Sequence, residues 1–138
     1  MSAGRLWAGV LALSMAGCGL TTPRDTLAAF DFAEVTDQQV QAAMDATGAG
    51  RQVLFVGQTP TPTRCYNLTA DLSTSSQTIT ITISARAKNE SCASTQGSFR
   101  YTGSVEMAHA GTYHFTIKHV FPAGTLPMTT FTEDVVLQ

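Results

Sequence analysis

From Arg51 to the C-terminus, apolar and polar residues alternate with a period of two, the signature of strands with one face in a core and one in water. Gln52 to Gly57 reads as a short buried strand, ended by Thr59-Pro60-Thr61-Pro62-Thr63, whose prolines cannot donate to a ladder. Tyr66, Leu68, Ala70 and Leu72 alternate with polar neighbours, and Ser73 to Ser76 predicts a turn. Ile79, Ile81 and Ile83 alternate with Thr78, Thr80, Thr82 and Ser84, the most regular run in the chain. Phe99, Tyr101, Val105 and Met107 mark the next strand, Ala108 to Gly111 a turn, and Tyr113, Phe115, Ile117 and His119 the strand after it. Phe121 to Pro127 reads as a loop, and Phe131, Val135 and Leu137 as the last strand.

Ahead of Arg51 the pattern changes. Leu27, Phe30 and Phe32 are apolar but follow no clean period, so residues 25–35 are left unassigned. Thr36 with Gln39 fits a capping box, Val35 with Val40 a hydrophobic staple, and Gly48 with Gly50 a stop signal. These predict a helix over Asp37 to Thr47, with Val40, Ala43 and Met44 inward. The expected fold is therefore mainly β: an antiparallel sandwich of about six to seven strands with one short N-terminal helix. A small barrel remains the alternative topology.

Excluding Cys18, the chain holds Cys65 and Cys92. The hairpin of residues 66–72 and 77–86 carries Cys65 towards the far end of its second strand, and the polar loop Lys88 to Gln96 holds Cys92 a few residues beyond. A redox or metal pair would need CxxC spacing or histidines nearby, so the two are expected to form a structural disulfide.

Gly111-Thr112-Tyr113-His114-Phe115-Thr116-Ile117 resembles the penultimate strand of bacterial immunoglobulin-like domains. In that family a G-x-Y turn opens the strand, and the tyrosine hydroxyl bonds back to the preceding corner. The resemblance covers residues 51–138 and implies an Ig-like sandwich that binds, spaces or displays rather than catalyses. The inter-sheet disulfide of that family is not reproduced, because Cys92 falls in a loop.

The first residues carry an address. Arg5 is the one charged side chain among the first 23 residues, and Leu6 to Leu13 is an uncharged run too short to span a bilayer. Met15-Ala16-Gly17-Cys18 follows and resembles the lipobox of bacterial lipoproteins, with Met15 where Leu is usual. The resemblance implies a signal peptide over residues 1–17, cut before Cys18, with diacylglycerol and an acyl chain such as palmitate on Cys18. Gly19 after the cysteine implies, by the same analogy, the outer membrane of a cell that has two. Residues 18–35 would then be a lipid-anchored tether and residues 36–138 the folded domain, in the periplasm or on the cell surface. Two or three acyl chains anchor a protein without any transmembrane helix.

Charge narrows the partners. Losing Arg5 with the signal takes the formal charge from −2 to −3. Asp25, Asp31, Glu34, Asp37 and Asp45 face Arg24 alone in residues 24–45, whereas the rest is near neutral. No basic run exists, so nucleic acid is not an expected partner. Arg86, Arg100 and Lys118 fall on the polar sides of their strands and form a candidate basic patch for an envelope protein or glycan, if those strands are neighbours.

The remaining chemistry is sparse. His114 and His119 are five apart and point to opposite faces of a regular strand, and His109 belongs to a turn, so no metal site is expected. Glu133 and Asp134 also face opposite ways, and no GxSxG, P-loop or dinucleotide fingerprint is present. The sequence predicts no enzyme and no cofactor. It predicts a lipid-anchored, non-catalytic binding or accessory module of the cell envelope. The alternative is an envelope inhibitor of a lysozyme- or protease-type hydrolase, presenting Thr59 to Arg64, Lys88 to Gln96 or Phe121 to Pro127. Oligomeric state is not legible.

Overall fold

A computed structural model describes residues 22–36, 43–121 and 127–138. The expected signal peptide, Cys18 and the first half of the expected helix lie outside these residues, as does most of the 121–127 loop. The described chain is mainly β, in two sheets of four strands that face each other as a sandwich, and it contains no helix. In chain order the strands are β1 (Thr26–Glu34), β2 (Asp45–Ala49), β3 (Gln52–Thr61), β4 (Tyr66–Ser75), β5 (Thr78–Ala87), β6 (Gly97–Glu106), β7 (Gly111–Val120) and β8 (Met128–Leu137). Sheet A has the order β1-β6-β3-β2 and sheet B the order β4-β5-β7-β8.

The regular alternation after Arg51 builds the core. Val53 and Phe55 of β3, Phe99, Tyr101 and Val105 of β6, Ile79, Ile81 and Ile83 of β5, and Phe115 and Ile117 of β7 are all buried between the sheets. Phe55 joins the layers through Phe115, with ring centroids 5.6 Å apart, and stacks over Gly103, where a Cβ would run into its ring. Every buried side-chain nitrogen or oxygen among the described residues has a hydrogen-bond partner.

Three expectations change. First, the expected helix is contradicted over its second half: Ala43 and Met44 are coil, and Asp45 to Ala49 is β2, paired antiparallel with β3. The glycines read as a helix stop have other work. Gly50, at φ +59°, opens the two-residue turn between β2 and β3, where a positive φ at the first central position is the type II′ requirement. Gly48 leaves room for the β8 backbone at Val136, which a Cβ would strike. Second, residues 26–34, expected in the tether, form an edge strand of sheet A. A β-bulge between Leu27 and Ala29 shifts the register, so the inward positions run Leu27, Phe30, Phe32 instead of every second residue. Third, β3 runs through Pro60 to Thr61. Its pairing with β2 ends at Val56, so Pro60 needs no donor on that side.

The sandwich is not wholly antiparallel. β5 and β7 pair in parallel, because β6, which separates them in sequence, crosses to the other sheet and returns the chain in the same direction. This order differs from the ABED and CFG sheets of immunoglobulin domains, so the likeness is confined to the local corner motif. That motif is present: the Tyr113 hydroxyl donates to the His109 carbonyl at 3.0 Å.

The sheets also meet at their sides, β1 against β4 and β2 against β8. Asp25, just ahead of β1, pins one of these seams. Its carboxylate accepts from the Thr74 hydroxyl of β4 at 2.9 Å and from the Ala108 backbone N–H of the β6–β7 corner at 2.9 Å. Arg51 holds the same corner from the other side, donating to the Ala108 carbonyl at 2.8 Å. Cys65 and Cys92 form a disulfide with a Cα–Cα distance of 6.0 Å, clipping the loop after β5 to the start of β4. The Lys88 N–H to Cys65 carbonyl bond, at 2.9 Å, closes the hairpin beside it.

Candidate functional site

A trough of about 640 Å³ lies on the outer face of sheet A. Strand register explains its lining. Asp31 on β1 pairs with Thr102 on β6, Thr102 with Val56 on β3, and Val56 with Asp45 on β2. One rung therefore crosses the whole sheet and ends in a carboxylate on each side. The neighbouring rung runs Ala29, Ser104, Leu54, Thr47 by the same pairings. Antiparallel partners point to the same face, so both rungs turn outward while Phe30, Phe55 and Gly103 lie between and beneath them.

The two rungs differ in chemistry. Leu54 is 47 % exposed, and Val56 lies beside it. Thr102 and Ser104 place hydroxyls along the floor. Asp31 Oδ1 accepts from the Phe32 N–H at 2.9 Å, and Asp45 Oδ2 accepts from the Thr47 hydroxyl at 3.3 Å, so each carboxylate is oriented by its own strand. Neither is in an ion pair with a described residue. A second hollow of about 220 Å³ continues the trough along β1 and β6, past Asp31 and Thr102 to Arg100.

The expected basic patch is not assembled. Arg100 stands on β6 in sheet A, whereas Arg86 and Lys118 stand on β5 and β7 in sheet B. β6 neighbours neither β5 nor β7, because it leaves the hairpin layer for the other sheet. Arg86 and Lys118 do share the outer face of sheet B, where Lys118 pairs with Thr82, four residues before Arg86. On that face Ser73, Thr80, Thr116 and Thr132 form one continuous rung of hydroxyls, while Asp71 shares the rung of Thr82 and Lys118.

The histidines separate as their spacing requires. His114 is exposed and its Nδ1 lies 2.8 Å from Asp134 on β8. His119 faces inward: the ring is half-buried, with Nε2 2.8 Å from the Tyr101 hydroxyl. Gly57 lies opposite Tyr101 and makes the pair possible, since a Cβ there would collide with the phenol. Burial pushes the Tyr101 hydroxyl pKa far up and the His119 pKa below its ordinary value. A phenol that stays protonated beside a neutral imidazole makes a stable internal hydrogen bond. It opens onto neither hollow on sheet A. Among the described residues no group of three or more His, Cys, Asp or Glu converges as metal ligands would.

The trough escaped the sequence because it needs β1 and β2 as the two edges of one sheet. Asp31 and Asp45 were visible only as part of an acidic segment. No family model, curated protein or solved structure matches the chain.

Proposed function

We propose that the protein is a lipid-anchored binding module of the cell envelope, held by an acylated Cys18 and engaging its ligand in the trough on sheet A. The lipobox-like Met15 to Cys18 supports the anchor. The observation that carries the binding reading is the trough itself: an outward hollow of about 640 Å³ floored by an exposed leucine and framed by two carboxylates. Pockets that take small ligands span about 300–1,000 Å³ and combine apolar lining with a few placed polar groups.

The test is site-specific photo-crosslinking in cells. A photoreactive residue at Leu54 is expected to capture a ligand or partner, and one at Thr80 on the opposite sheet is not. Capture from Ser94 in the clipped 88–96 loop instead of Leu54 would move the reading to a loop-presenting inhibitor of a hydrolase. Palmitate labelling of the same strains is expected to disappear with Cys18→Ser. Labelling that survives the substitution would remove the anchor from the reading.

A further inference from the structure

We infer that the trough binds a linear polyamine: two terminal ammonium groups on a flexible polymethylene chain with secondary ammonium groups between them. The inference rests on the trough being the binding site. Asp31 and Asp45 close the two ends of one rung that crosses four strands. Three inter-strand spacings of about 4.8 Å put their backbones ~14 Å apart. That separation decides what they can hold. A single metal ion needs oxygens converging within about 2.6 Å of it, which carboxylates on opposite sheet edges do not provide. A compact monocation would use one end and leave the other idle. An anion would meet two negative groups and no lining cation, since Arg100 lies one rung further on.

An extended polycation uses both ends at once. Between the carboxylates the rung offers Thr102 and Val56, and the parallel rung adds Ser104 and Leu54. The hydroxyls can accept from a central ammonium, and Leu54 and Val56 give the methylenes an apolar bed. The ligand lies across the strands, so length becomes the selective property: extended spermine spans the rung and putrescine does not. The carboxylates are exposed, so the attraction weakens as salt rises.

Isothermal titration of the full-length lipidated protein in neutral detergent tests this, with spermine, spermidine, putrescine and butylamine as probes. Spermine is expected to bind at one site, more tightly than putrescine, with butylamine weakest. Asp31→Asn and Asp45→Asn each keep an oxygen for the local hydrogen bond and are expected to weaken spermine about fivefold, the upper range for an exposed ion pair. Glu106→Gln, on an outward position two residues beyond Ser104, serves as the charge-matched control and is expected to leave binding unchanged. Equal affinity for putrescine and spermine would overturn the proposal, as would an equal loss in Glu106→Gln. So would a peptide with two lysines four apart binding where spermine does not. If Leu54 crosslinks a ligand in cells while spermine fails to bind, the ligand class falls and the binding module stands. If both fail, both readings fall.

Discussion

Tyr101, Gly57 and His119 illustrate how much of this core is decided at single residues. Tyr101 is fully buried, yet its hydroxyl needs a partner, because an unpaired buried polar group costs about 1–3 kcal/mol. His119 supplies the partner, and Gly57 supplies the space. Tyr101 and His119 were legible as inward or outward positions on alternating strands. Their contact was not, because it joins sheet A to sheet B and no local pattern encodes which rungs face each other. The pair has a pH consequence. Burial lowers the His119 pKa in the folded state, so the unfolded chain binds the proton more readily. Stability from this group is fully present above the unfolded value of about 6.5 and declines as the pH falls from there towards the folded value. Urea midpoints measured from pH 8 to pH 5 are expected to fall in the wild type and to fall less in His119→Gln. Parallel profiles would show that His119 does not carry the acid sensitivity.

Strands and loops were readable where the period held and lost where it was interrupted. β5 and β7, with unbroken alternation, appear as expected. β1 was missed because its bulge at Ala28 puts two residues between Leu27 and Phe30 instead of one. β2 was mistaken because five residues give too little periodicity to outweigh capping-box letters, and its glycines serve a hairpin turn and a close approach by β8. Each error removed one edge of sheet A, and the trough needs both edges, so the two misreadings together hid the site. The disulfide was legible from two remaining cysteines without CxxC spacing or neighbouring histidines, and it is an element-scale device, tying the exposed 88–96 loop to the hairpin. The Cys65–Cys92 separation of 27 residues gives about 3–4 kcal/mol in the chain-entropy account. A Cys65→Ser, Cys92→Ser variant is expected to lose about that much in chemical denaturation and to exchange amide hydrogens faster in residues 88–96 than elsewhere. Loss of a few tenths only would show that the loop is held by other contacts.

At the scale of the whole molecule the sandwich presents two unlike faces. Sheet A offers a hollow with carboxylate ends and an exposed leucine, and sheet B a face of threonine hydroxyls that also carries Arg86, Lys118, Asp71 and the His114–Asp134 pair. The distribution follows from the crossing of β6 between layers, which also divides Arg100 from the other two cations. The layers are joined by the buried core and, along one seam, by the Asp25 carboxylate. Asp25→Ala removes two hydrogen bonds to a charged acceptor in a half-exposed position and is expected to cost about 2 kcal/mol. Asp25→Asn is expected to recover part of that, since one amide oxygen replaces the carboxylate. A full-stability Asp25→Ala variant would mean that the seam closes without it.

Asp25 also has a mechanical consequence. It precedes the first ladder residue of β1, and it is bonded both to β4 in one sheet and to the corner between β6 and β7. Tension arriving along the chain from the N-terminal side meets this carboxylate before it meets the β1–β6 ladder. The load then divides between the two sheets instead of peeling β1 from its edge one hydrogen bond at a time. Because β1 carries Asp31, a strand that resists peeling also keeps one wall of the trough in register while the chain ahead of it is pulled.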